Sequence, residues 1–193
     1  MYDCGVTVSD KPTKRFDKLL VLDLDETIIY GTEEPLNRPA DFQTDRFHVY
    51  RRPGLDEFLT KCVEWFNVGV WTSSSSGYAE AVIPQLFPRP DVLEFVWTRE
   101  RCVRRFNPEL HNYFWIKDLK KLKKRCPLEK ILMVDDTPEK LLRNYGNHVL
   151  VQEWTGDLED KELELLLGYL EELGPAENVR AIEKRTWRSR RRT

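Results

Sequence analysis

Residues 18–31, KLLVLDLDETIIYG, carry an apolar run straight into two carboxylates, Asp23 and Asp25. Residues 19–25 read as a strand buried on both faces, the kind from which parallel sheets are built. Two like charges at its end need an explanation. Only Leu24 separates them, so both point to the same side while the strand lasts. Two carboxylates a few ångströms apart repel by about 4 kcal/mol at an effective dielectric of 20. A proton or a cation must relieve that.

Two further apolar runs end in the same way. NVGVWT leads into a run of serines, and KILMVDD leads into TP. In an open parallel sheet, ligands bind outside the carboxyl ends of the strands, so these three ends share one crevice. Asp135 and Asp136 bring two more acids to it. Four carboxylates with no histidine or cysteine among them suit a hard, oxygen-seeking ion, Mg²⁺ before Zn²⁺. A lone DxD after a strand reads equally well as a turn, but DDTP at a second strand end argues against that.

Between these strands the pattern is helical. Leu55, Phe58, Leu59, Cys62, Val63 and Phe66 form an apolar stripe. SSSSGYAEAVIPQLF predicts a turn and a helix with Pro84 as a kink point. TPEKLLRNY predicts another helix, as does LEDKELELLLGYLEEL. Residues 31–46 read as a surface loop, and FHVYRRPG as a short strand pairing with 28–30 in a hairpin beside the first strand. Strands alternating with helices predict an α/β domain with a Rossmann-like, mainly parallel sheet flanked by helices. Residues 1–17 read as a flexible lead-in, 18–178 as the domain, and 179–193 as a basic tail for which an acidic partner is the functional alternative to solvation. His48, His111 and His148 lie at no metal spacing and read as structural.

The chain's 193 residues suffice for one domain with a substantial core. Its net charge of −2 argues against nucleic acid as the partner. No apolar run approaches the ~20 residues of a membrane span, and the first residues lack an apolar signal core, so no export is expected. Cys4, Cys62, Cys102 and Cys126 have no CxxC spacing and read as free thiols in a reducing cytoplasm, with a nuclear location open to a eukaryotic protein.

DLDET, VWTSSSSGYAEAVI, WTRERCV…YFWIKDLKKL and ILMVDDTP, in this order over residues 19–152, resemble the motifs of the haloacid dehalogenase superfamily of phosphohydrolases. More narrowly they resemble the RNA polymerase II C-terminal-domain phosphatases and the small C-terminal-domain phosphatases. The resemblance implies phosphoryl transfer through an aspartyl-phosphate, with Asp23 as nucleophile and Asp25 as general acid and base. It implies Mg²⁺ held by Asp23, the backbone carbonyl of Asp25, and Asp136, with Lys117 offsetting phosphate charge from the other side. It also implies that Thr72 holds a phosphoryl oxygen, helped by the backbone of the turn at Ser73. Asp135 is expected to orient Lys117 or a metal-bound water, Thr27 to fix the turn after Asp25, and Arg99, by its place in the family pattern, to contact substrate, where arginine suits a second phosphate or an acidic side chain.

Neither gap between motifs has room for a full cap domain. The expected fold is therefore capless, with a small β insertion between the Thr and Lys motifs, and its open crevice suits phosphoserine or phosphothreonine in a protein. Two departures stand out. Asp136 occupies a position where the small phosphatases have Asn, and the loop after Gly31 is unlike the one that shapes the family's hydrophobic pocket. A small phosphorylated metabolite or phosphotyrosine is the alternative substrate, and a non-catalytic adaptor the alternative class.

Overall fold

A computed structural model describes residues 13–109 and 111–189. In chain order the strands are β1 (Leu19–Leu22), β2 (Ile29–Thr32), β3 (Phe42–Gln43), β4 (His48–Arg51), β5 (Asn67–Trp71), β6 (Leu93–Trp97), β7 (Val103–Asn107), β8 (Asn112–Ile116), β9 (Ile131–Asp135) and β10 (His148–Leu150). The helices are α1 (Leu55–Trp65), α2 (Ser76–Leu86) and α3 (Glu162–Leu173).

The main sheet runs β10-β9-β1-β5-β6, with every pair parallel. β1 lies at its centre because both its faces are apolar. Leu20 and Leu22 belong to the core shared with α1, α2 and α3, while Leu19 and Val21 face a second cluster with Trp71, Ile131 and Met133. That second face is covered by 3-10 turns at Leu119–Leu122, Leu128–Lys130 and Pro138–Leu141, which supply Leu119, Leu122, Leu128 and Leu141. The helix expected over TPEKLLRNY is therefore only the last of these short turns. Register sets the site. Leu22 stands opposite Val70 on one side and Val134 on the other, so the next residues, Asp23, Trp71 and Asp135, come level at the carboxyl edge.

Three expectations are corrected. The hairpin of β2 with β4 does not extend the main sheet; it forms a separate three-stranded sheet, β2-β4-β3, whose third strand comes out of the expected loop. Within the expected lead-in, Phe16 donates its N–H to the Trp65 carbonyl (2.8 Å) and packs against Phe66 (centroids 5.3 Å apart), because α1 leaves an apolar groove that an aromatic ring fills; residues 1–12 lie outside the described residues. The basic tail is docked as far as it is described. Trp187 is buried, stacks on Tyr169 (5.2 Å, 8°) and donates Nε1–H to the Leu150 carbonyl at 2.9 Å. Losing such a tryptophan to alanine typically costs about 3–5 kcal/mol. Its charges find partners within the chain: Arg188 on Glu162 and Arg185 on Glu183. Arg190, Arg191 and Arg192, on which the expected acidic partner also rests, lie outside the described residues.

The expected β insertion between the Thr and Lys motifs is the β7–β8 hairpin, and no cap domain is found among the described residues. Cys62, Cys102 and Cys126 are free. No described helix is long and apolar enough to cross a membrane.

Candidate active site

Asp23 leaves the end of β1 and is fully buried. Its backbone N–H donates to the Val134 carbonyl (3.0 Å), holding it against β9, and its Oδ1 accepts the N–H of Leu24 at 2.8 Å. Oδ2 accepts from two ammonium groups, Lys117 at 2.8 Å and Lys140 at 2.7 Å. Burial alone raises the pKa of this carboxyl, but the two lysines outweigh it and hold the group well below the usual carboxylate range. The two ammonium groups thus favour the ionised form of Asp23.

Asp135, at the end of β9, is equally buried. Its Oδ2 accepts from Lys117 at 2.7 Å and its Oδ1 from the N–H of Thr137 at 2.9 Å. Burial and the neighbouring Asp23 charge push its pKa up. Lys117 follows β8; its N–H donates to the Lys140 carbonyl (2.8 Å), which aims the side chain beneath the site. It touches the crevice only through Asp23. Asp136 accepts from Thr27 Oγ1 (2.9 Å) and Thr137 Oγ1 (2.8 Å), so Thr27 ties the turn after Asp25 to the end of β9. His148 meets the Asp135 carbonyl through Nε2 at 2.8 Å and buttresses the same strand end.

Asp25, two residues beyond Asp23, has different partners. Tyr78 Oη donates to its Oδ1 (2.6 Å) and Ser74 Oγ to its Oδ2 (2.8 Å). Burial raises its pKa against those two hydrogen bonds. Tyr78 can reach it because residue 31 is glycine: a Cβ there would lie 2.5 Å from the tyrosine oxygen. Burial and the charge of Asp25 in turn push the phenol above its ordinary value. Glu26, in left-handed backbone (φ 59°), accepts the Trp154 N–H at its carbonyl and also lines the crevice; burial, then the Asp25 charge, raises its carboxyl to about 7. Thr72, buried at the end of β5, is fixed by its N–H to the Trp97 carbonyl (2.9 Å), and its Oγ1 accepts the N–H of Ser74 at 2.9 Å.

These groups open into a crevice of about 420 Å³. Asp23, Asp25, Thr72, Ser73 and Arg99 line it, as do Lys140, Tyr78, Arg46 and Phe47. Arg99 sits at the rim with Nε donating to the Ser73 carbonyl at 2.7 Å. All the site residues read from the sequence therefore meet around one crevice, with Lys117, Asp135 and Asp136 behind Asp23. The donor set fits Mg²⁺: carboxylate oxygens of Asp23, Asp135 and Asp136 lie within 4.8 Å of one another. The carboxylate of Asp25 is not in that set; its two oxygens accept from Tyr78 and Ser74.

Sequence reading missed Lys140 and Tyr78. Besides Asp23, Lys140 Nζ stands 3.5 Å from Asp135 and 3.7 Å from Asp136, at the focus of the three acids. Burial opposes its charge, but the carboxylates raise its pKa overall. The signal was its place one 3-10 turn beyond DDTP, which returns the side chain to the strand end.

A capless α/β domain with an acid pair after its central strand, a hydroxyl at the second strand end and a lysine-bridged acid pair at the third is the architecture of the haloacid dehalogenase phosphatases. The chain belongs to the NLI interacting factor-like phosphatase family, whose model matches residues 18–180. It is 35% identical over 168 residues to the carboxy-terminal domain RNA polymerase II polypeptide A small phosphatase 2 of Homo sapiens, covering 83% of this chain and 58% of that protein. It is 32% identical over 173 residues to a probable C-terminal domain small phosphatase of Dictyostelium discoideum, covering 86% and 53%. The chain thus spans little more than half the length of these relatives. Among solved structures, the RNA polymerase II CTD phosphatase Fcp1 superposes with a TM-score of 0.63 at 18% identity, over 81% of this chain and 62% of that one; this likeness is one of fold.

Proposed function

We propose that this chain is a Mg²⁺-dependent phosphomonoester hydrolase acting on phosphoserine or phosphothreonine in a protein, by way of an aspartyl-phosphate on Asp23. The observation that carries this reading is the pairing of two differently tuned aspartates in one crevice. Lys117 and Lys140 favour the anion of Asp23, and Asp25, which lines the same crevice, is shifted toward its protonated form. Two carboxyls whose environments push their pKa values apart are suited to the roles of nucleophile and acid.

In the first step an Asp23 carboxylate oxygen bonds to phosphorus and the phosphorus–ester oxygen bond breaks. Asp25 gives its proton to the departing oxygen. In the second, Asp25 takes a proton from water, the water oxygen bonds to phosphorus, and the bond to Asp23 breaks, releasing inorganic phosphate. Thr72 and the backbone N–H groups of the serine turn hold phosphoryl oxygens. When held by Asp23, Asp136 and the carbonyl of Asp25, Mg²⁺ supplies neutralising charge to those oxygens. Lys140 supplies charge from the crevice side, and Lys117 from beneath. The open, capless crevice supports a protein substrate over a small metabolite, and the curated relatives are named as phosphatases of a protein domain.

The test is hydrolysis of p-nitrophenyl phosphate with Mg²⁺ by the parent and by Asp23→Asn, beside panels of phosphopeptides and phosphorylated metabolites. Activity lost in the variant and graded across peptides is the expected result. An inactive parent, or an equally active variant, overturns the reading.

A further inference from the structure

The β7–β8 hairpin has a face that the catalytic reading leaves unused. Its register pairs Arg104 with Trp115 and Phe106 with Tyr113. Cross-strand partners point to the same face and alternate residues share it, so these four side chains form one surface. Arg104 lies over the Tyr113 ring at 3.6 Å, and Phe106 meets Tyr113 at 5.1 Å. Arg99, on the crevice rim, lies 5.7 Å over Trp115. Arginines and rings therefore alternate in a continuous ladder that starts at the phosphate site and runs outward. A five-residue strand carries it about 17 Å.

Two observations make this a surface built to meet something. Phe106 and Tyr113 are 49% and 55% exposed, among the few large apolar residues left in solvent. The segment 99–109 holds four arginines against two glutamates, Glu100 and Glu109. Among the described residues none of those four arginines makes a salt bridge, whereas Arg52, Arg143 and Arg188 elsewhere each pair with a carboxylate. Unneutralised guanidinium groups stacked on rings favour a planar anionic partner, and the flat apolar faces between them favour an extended chain.

We infer that the β7–β8 face docks the stretch of phosphoprotein beside the phosphorylated residue, and that it selects an extended stretch bearing negative charge as carboxylates or a second phosphate. This rests on the phosphoprotein reading above and adds a substrate preference to it. Arg99 reads the position nearest the phosphate, Arg104 reads further out, and Phe106 and Tyr113 supply contact area. Because the ladder begins at the rim of the phosphate crevice, the chain flanking the phosphorylated residue is favoured over single-stranded nucleic acid as occupant.

The test is fluorescence anisotropy with Asp23→Asn, which binds without turnover. The probes are two labelled ten-residue phosphoserine peptides, identical but for Asp and Glu flanks in one and Asn and Gln in the other. The acidic peptide is expected to bind about tenfold tighter at low salt, with the advantage shrinking as salt screens it. Adding Arg104→Glu should abolish the advantage, and adding Tyr113→Ala should weaken both peptides together, each without moving the unfolding midpoint. Equal affinity for the two peptides, or an advantage that survives Arg104→Glu, overturns the inference. A single-stranded oligonucleotide that displaces the acidic peptide at lower concentration overturns it in favour of nucleic acid. Because the readout is binding, loss of p-nitrophenyl phosphate hydrolysis in the parent sinks the phosphatase reading while the flank comparison still decides this one.

Discussion

Lys117 and Arg99 serve the same crevice from opposite surroundings. Lys117 lies beneath it, fully buried, with Asp23 and Asp135 at 2.8 and 2.7 Å. Arg99 stands at the rim, exposed, held by one backbone carbonyl and a ring. An ion pair in the interior has no water to fall back on, and removing one member leaves an uncompensated charge. A rim charge is screened and its contacts are worth about 0–1 kcal/mol each. The floor is therefore where the largest losses of rate and stability are expected, and the rim where, on the inference above, substrates are discriminated.

The largest effect is expected at the floor's centre. Asp23→Asn removes the proposed nucleophile and should lower kcat by at least about a thousandfold in aryl phosphate hydrolysis. Lys117→Met should come next: a loss of about 3–5 kcal/mol in urea unfolding, together with activity. A Lys117→Met protein as stable as the parent would break the comparison. Lys140 tests where the floor ends, since it is partly open to the crevice. Lys140→Met should lower kcat/KM about tenfold yet cost only about 1–2 kcal/mol, because water can reach the acids it leaves.

Tyr78→Phe should lower kcat about tenfold and leave the fold nearly intact, since it deletes a single hydrogen bond to a charged group. A change confined to KM would move Tyr78 from the floor to the rim. The smallest effect sharpens the contrast from outside the site. Lys184 is buried like Lys117 but, among the described residues, has the carbonyls of Val179 and Ile182 as its acceptors. Burial lowers it from 10.5 to about 8, against the Glu183 charge. Between those values the unfolded chain holds a proton that the native one has shed, so this residue's contribution to stability rises with pH from about 8 to 10.5. Lys184→Met should flatten that rise in chemical denaturation followed across the range.

Much of the floor was legible in the chain. Asp23, Thr72 and Asp135 follow apolar runs whose two-sided burial forces a parallel sheet, and such a sheet brings its carboxyl ends together. Lys117 was harder: as one lysine in a basic run it had no local signature, and only the resemblance of KDL after YFWI picked it out. Lys140 escaped because a helix over TPEKLLRNY gives no reason to aim it at Asp23, whereas the observed 3-10 turn brings it there. β3 escaped because two residues carry no periodicity. The C-terminal arginines read as a solvated run because Glu162 and the pocket for Trp187 are remote in sequence.

The order of residues along the chain settled which strands are buried on both faces, and hence that acids and hydroxyls gather at one edge of a sheet. That follows from local alternation and apolarity, which act between neighbours. What each acid then becomes was decided in three dimensions. Asp23 is held toward its anion because Lys140, 117 positions away, lies 2.7 Å from it, and Asp25 is shifted the other way because burial outweighs the hydrogen bond it accepts from a tyrosine 53 positions on. Electrostatic energy depends on separation in space and on the water excluded between groups, and neither is written in the spacing of residues along a chain.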